Sequence, residues 1–574
     1  MRSQLALIAL LVGCGSDPGK PTPASDSSVD SGEPGPWEPD LFCPGSAGCE
    51  TVSGTLRAGA GKVDITPTCF EDWVDLDGDF EYERTTEAFR DCGCDRLCPE
   101  DDGYPGPDDG EGDGTFQAVW LAGFHNARAA TGIHDPMWAR AVVFEQGDLR
   151  VAVVSLDVTG WFNSEVEATR AILADRGVDL DLLIVHSTHN HEGPDTFGLW
   201  GETESVSGAD PVYNAAVQAF SADAVEAAVA DLRVVGTMRV GTLDLSTRPE
   251  GVRNYINDLR DPQIIDPIVT AARFQDTGGD TIAVLAHTSN HPEGIADENT
   301  LISSDFPDQL RETIESGVTW PDGSTRDGVG GVAVFLNGTV GGMMSPLRIT
   351  VTTPDGRELR DYTFEKADAH GKMYGERFLD ALDAAEVVPD PTLAFATHRF
   401  LLPVDNWGFQ AAFLTGILTR ETVGWDDTEV ISDDNLPHVD TEMSWLRVGT
   451  LQMLTLPGEA HPELAVGGYD GSLTGDADTP IVSDDNPAPP DLDAAPAGPY
   501  WKEVLPEGVP MLIGLGQDEL GYIVPPYNFV LDDRQPWFDE AEGDHYEETN
   551  SLGPRTADLV SDELARLSSW AEGR

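Results

Sequence analysis

The apolar positions of this chain fall into short continuous runs separated by polar turns, a pattern that predicts buried strands rather than an all-helical array. Leu182-Leu183-Ile184-Val185, Ile282-Ala283-Val284-Leu285 and Val332-Ala333-Val334-Phe335-Leu336 each read as a core strand, with Met511 to Leu515 as the last. Met137 to Glu145 and Leu149 to Asp157 pair as a hairpin around Gln146-Gly147-Asp148. Leu56 to Pro67 is a strand closed by proline, and further strands are expected near Leu393 to Pro403 and Leu446 to Leu456. Helices alternate with them. Ser164 caps one through Ala174, and others cover Pro211 to Leu232, Tyr362 to Ala385 and Arg555 to Ala571. The fold class is α/β with a mixed sheet. Its polar clusters follow directly on the ends of apolar strands, where ligands of such folds gather.

Charge narrows the partners. The 574 residues include 34 basic and 102 acidic side chains, a net of −68, which repels phosphate backbones and excludes nucleic acid as a partner. The first residues suggest a destination. Arg2 precedes a short apolar stretch, Leu5 to Val12, too short to span a bilayer, and Leu11-Val12-Gly13-Cys14 matches a bacterial lipoprotein cleavage box. Residues 1–14 are therefore expected to be a signal peptide, with Cys14 lipidated and the protein exported and anchored, by its Gly15, at the outer membrane. Residues 15–52, rich in Ser, Pro, Gly and Asp, read as a flexible tether, and residues 53–574 as one catalytic domain.

An acidic, glycine-rich insertion at about 68–115 interrupts that domain. Its Asp75, Asp77 and Asp79 alternate as carboxylates do around Ca2+, or stand as a solvated acidic loop. The six cysteines after Cys14 all lie before residue 100, and their even number in an exported chain suggests disulfides. Cys92, Cys94 and Cys98 also offer a metal cluster, the weaker choice without a nearby histidine.

Two motifs carry chemistry. Ser187-Thr188-His189-Asn190-His191-Glu192-Gly193-Pro194 leaves the strand ending at Val185, and an H-x-H pair in extended backbone puts both imidazoles on one side. His287-Thr288-Ser289-Asn290-His291-Pro292 leaves the strand ending at Leu285 in the same way. Imidazoles delivered from two strand ends suit Zn2+.

With Gly132-Ile133-His134-Asp135-Pro136, Ile302-Ser303-Ser304-Asp305, Gly342-Met343-Met344-Ser345-Pro346, Leu456-Pro457-Gly458-Glu459, Gly521-Tyr522-Ile523 and Tyr546-Glu547, these motifs resemble the neutral/alkaline non-lysosomal ceramidase family, in its order, over roughly residues 56–570. The resemblance implies a zinc-dependent amidohydrolase acting on an N-acyl lipid. It implies His189, His291, Glu459 and Tyr522 as metal ligands, with His191 and Ser345 catalytic. It places Tyr546 near the reacting amide and His134 at the rim of the site.

The chain departs from the pattern at several points. Glu519 stands where the family often has tyrosine, the Gly-Met-Met context of Ser345 is unusual, and the cysteine-bearing insertion is additional. The sequence ends soon after Gly553-Pro554, so no C-terminal immunoglobulin-like domain is expected. A ceramide-like lipid is the leading substrate class. A zinc amidase or esterase acting on a non-sphingolipid, or an inactive metal-stabilised surface binding protein, are the alternatives.

Overall fold

The computed structural model describes residues 37–573. Cys14 and the expected signal peptide lie outside the described residues. A nine-stranded mixed sheet dominates. Its order runs Val332–Asn337, Thr281–Thr288, Ile268–Asp276, Arg233–Asp244, Arg57–Asp64, Trp138–Gln146, Leu149–Leu156 and Leu182–Ser187, with Glu386–Val388 beside Arg233–Asp244. Only Arg57 and Ala58 pair across its middle, with Val234 and Arg233, so the two halves are free to fold over one another. A five-stranded sheet of Leu41–Cys43, Leu393–Pro403, His438–Val448, Leu451–Thr455 and Val509–Ile513 completes the frame.

Strand periodicity decides what each face buries. Val142 and Phe144 join a central core with Phe274, Leu285, Leu336 and Met453, whereas Ala141 and Val143 face helices Asn163–Asp175 and Pro211–Ala230. Helices Phe306–Ser316 and Phe364–Asp383 cover the other half, against Ala271, Val284 and Phe335. The closing helix Thr556–Ala571 packs on Ala394, Val439 and Trp445 of the smaller sheet. No helix among the described residues is long and apolar enough to cross a membrane.

One consequence matters for the site. The segment after Val509–Ile513 stitches the sheet's two outer strands together: Gly514 N donates to Asn337 O at 3.1 Å, and Gln517 N donates to Val185 O at 2.8 Å. Asn337 N in turn donates to His186 Nε2 at 2.9 Å. The carboxyl ends of strands far apart in sequence thus meet at one edge.

Several expectations need correction. The tether does not extend to residue 52, because Leu41-Phe42-Cys43 is a short apolar run that pairs with Phe395–Thr397 and buries Cys43. Ser164 does not cap its helix. The helix begins at Asn163, whose N–H is taken by the Asp518 carboxylate at 3.0 Å, a cap supplied from a distant segment. The strand expected over Leu446 to Leu456 is two, His438–Val448 and Leu451–Thr455, turned at Gly449. The six cysteines pair as Cys43–Cys49, Cys69–Cys94 and Cys92–Cys98, so the alternative of a cysteine metal cluster falls.

Candidate metal centre

Beyond Ser187 the chain turns sharply, with His189 at φ 67° in the left-handed region that side chains seldom adopt. Sequence reasoning placed His189 and His191 together through an extended backbone. The structure brings them together by this strained turn instead, with ring centroids 4.8 Å apart. His291 arrives from the end of Thr281–Thr288, its ring 4.7 Å from that of His189. Asn337, at the end of the next strand, clamps the two loops, its side-chain amide donating to Thr188 O at 3.0 Å and to Asn290 O at 2.9 Å.

The histidines are oriented from behind. His189 Nδ1 lies 2.7 Å from Thr159 O, and His291 Nδ1 lies 2.9 Å from Met344 O. A carbonyl at Nδ1 fixes the tautomer and leaves Nε2 as the ligating atom. Both Nε2 atoms point at one oxygen, Glu459 Oε2, at 3.2 Å and 3.0 Å. Glu459 is delivered by the loop after Leu451–Thr455, which pairs in parallel with Tyr522. Burial alone would raise the Glu459 carboxyl, but His189 and His291 hold it below the usual carboxylate range.

His191 completes a three-histidine group whose ligand atoms lie within 4.8 Å of one another. Neither of its ring nitrogens has a hydrogen-bond partner. Burial, with His189 and His291 alongside, lowers its imidazole well below the ordinary value, so the ring is neutral with a free lone pair. Gly123, at φ 80°, makes room for it, since a Cβ there would lie 2.4 Å from His191 Nδ1. Two fixed imidazoles and a carboxylate, with unpartnered His191 within reach of the same point, fit a zinc ion. The sequence reading kept His191 out of the ligand set; the structure puts it within ligand reach.

The other expected residues divide. Tyr522 and Tyr546 line the same cavity as His189, His191 and Glu459, with their rings 6.1 Å apart. The Tyr522 hydroxyl lies 3.3 Å from Met343 Sδ. Ser345 is fully buried outside the cavity lining and accepts from Leu347 N at 2.9 Å. His134 is exposed and stacks on Phe364 at 3.6 Å, also outside the lining. In the insertion, Asp75 and Asp77 group with Glu87, and Asp77 and Asp79 with Glu83, as two overlapping clusters.

Two residues that sequence reasoning passed over belong here. Glu293 is buried two positions after His291, its Oε2 lying 3.8 Å from His191 Nδ1 and its Oε1 unpartnered. Asn337 was visible only as a polar residue ending an apolar strand. The far wall of the cavity is apolar, built from Phe162, Phe197, Trp200, Phe409, Phe413 and Leu418.

Two solved structures share this architecture. One is a neutral ceramidase from Pseudomonas aeruginosa, with a TM-score of 0.55 and 16% identity over 90% of this chain and 74% of that one. The other is a ceramidase complexed with C2, with a TM-score of 0.53 and 15% identity over 90% of this chain and 75% of that one. No protein-family model and no curated protein sequence matches the chain. At this level of identity the likeness establishes a ceramidase-like fold.

Proposed function

We propose that this chain is a zinc-dependent hydrolase that cleaves N-acyl amide bonds, with ceramide-like lipids as the leading substrate class. The observation that carries this is the joining of a three-histidine and carboxylate centre to an aromatic-walled cavity in one continuous site. The apolar wall suits an acyl chain, and the polar end suits its amide.

His189, His291 and Glu459 hold the metal, and Tyr522 is the further ligand the ceramidase likeness suggests. The chemistry a bound zinc supplies is polarisation of the amide carbonyl and a supply of nucleophile at neutral pH. His191, neutral and lining the cavity, takes up the proton released by the attacking water and passes it to the leaving nitrogen. Tyr546, lining the same cavity, orients the amide. Ser345, buried behind the cavity rather than lining it, supports the site through the turn it closes with Leu347 N. Accordingly, Ser345→Ala should weaken turnover while leaving the metal in place.

The test is hydrolysis of N-acyl lipids of graded chain length, beside peptide amides and esters, by the purified protein with and without chelator. Chelator-sensitive cleavage of a long-chain N-acyl amide is expected; cleavage of polar amides or esters alone would move the substrate class. The proposed lipid anchor at Cys14 has its own test: Cys14→Ser should shift the protein out of the membrane fraction, and unchanged membrane retention would refute it.

A further inference from the structure

Beside the metal centre, one cavity-lining carboxylate has an oxygen without a protein partner. Glu519 is 4% exposed and lines the cavity with His189, Glu459 and Phe197. Its Oε1 accepts from Gly521 N at 2.9 Å, while Oε2 is buried and has no protein partner. Its neighbour Asp518 shows what a structural carboxylate looks like here. Asp518 takes N–H groups of Asn163 and Glu519, each at 3.0 Å, the Thr441 hydroxyl at 2.7 Å, and Arg420.

Leaving a buried polar atom unpaired is unfavourable, and one that also lines a cavity is placed to be met by a ligand. Room has been made for this one. A Cβ on Gly160 would lie 2.0 Å from Phe197 and 2.7 Å from Glu519 Cγ, so glycine lets the carboxylate and the aromatic wall meet. An acyl chain alone cannot satisfy Oε2. A hydroxyl or amino group on the substrate can.

We propose that Glu519 is a specificity-determining residue that hydrogen-bonds a hydroxyl or amino group carried by an otherwise apolar N-acyl substrate, an assignment that rests on the hydrolase reading for the identity of that substrate. Plain fatty-acyl amides are then poorer ligands than those bearing a donor at one definite position.

Long-chain ketones, in which a methylene replaces the amide nitrogen, are inert probes for this. A series carrying one hydroxyl or one amino group at successive positions is titrated into the metal-replete protein by calorimetry. One position should bind about 5-fold tighter than the unsubstituted ketone, the effect of one hydrogen bond. Glu519→Leu should abolish that gain with metal content unchanged. Glu519→Gln, isosteric, carries the test should the leucine variant fail to fold, and should weaken the amino-bearing probe about 5-fold. No favoured position in wild type, or a gain that survives both substitutions, overturns the assignment. Preference intact without turnover of any N-acyl amide would instead strike the hydrolase reading and leave Glu519 standing.

Discussion

The surroundings of His189 and the acidic insertion at 68–115 are both dense in polar side chains, and they differ in where most of those side chains find partners, although Asp72 Oδ1 and Asp108 Oδ1 of the insertion are also buried without one. In the insertion the carboxylates fold onto nearby backbone. Asp75 accepts from Gly78 N at 2.6 Å and Phe80 N at 3.1 Å, Glu87 from Leu76 N at 2.7 Å and Glu83 N at 3.0 Å, and Asp91 from Gly112 N at 2.7 Å and Gly114 N at 3.0 Å. The Asp75 bonds close a local turn and those of Glu87 and Asp91 tie separate turns of the insertion together, fastened by Cys69–Cys94 and Cys92–Cys98. At the centre the groups are buried, oriented from behind, and left without partners in front: both nitrogens of His191, Glu293 Oε1 and Glu519 Oε2. Polar residues that satisfy themselves build structure. Polar residues held apart from partners are positioned for a ligand.

The comparison breaks most clearly at the ligands. His189→Ala or His291→Ala should remove the metal and reduce hydrolysis to the chelated background, measured by metal analysis and turnover on one sample. Retained metal in either variant would contradict the centre. His191→Ala should lose about 10²–10⁴-fold in rate with metal retained, the range of a positioned proton donor. Loss of the metal instead would make His191 a ligand. Asn337→Ala, which releases both histidine loops, should weaken metal affinity by about 10–100-fold, as loss of an orienting partner does. An affinity equal to wild type would show that the loops hold themselves. At the other extreme, Cys69→Ser with Cys94→Ser should cost the insertion about 3 kcal/mol of local stability by loop-closure entropy. Turnover and metal content should change less than about two-fold, since the centre does not draw on those residues. A collapse of activity there would join the two regions that the structure separates.

How much of this was legible in the sequence follows the same division. The continuous apolar runs at 182–185, 282–285 and 332–336 are strands because burial on both faces needs no alternation. The motifs following the first two carried His189 and His291, whereas Glu459, on the loop after Leu451–Thr455, came from the family resemblance. Strands Arg233–Asp244 and Ile268–Asp276 were missed, because polar residues and glycine interrupt the first and it follows a helix within a few residues. Helix Phe306–Ser316 carried readable signals, Asp305 at its cap and Pro307 in its first turn, which went unused. Asn337, Glu293 and the Asp518 cap were out of reach for a different reason. Each acts on a segment far away in sequence, so its role exists only once the strand ends have met.

The central claim is that the buried histidine and carboxylate group holds a metal on which amide hydrolysis depends. Its most direct test is metal content and hydrolysis of a long-chain N-acyl amide, followed on one sample through chelation and stepwise return of zinc. Activity should vanish with the metal and return in proportion, reaching its maximum at one zinc per chain. Full hydrolysis by demonstrably metal-free protein would contradict it.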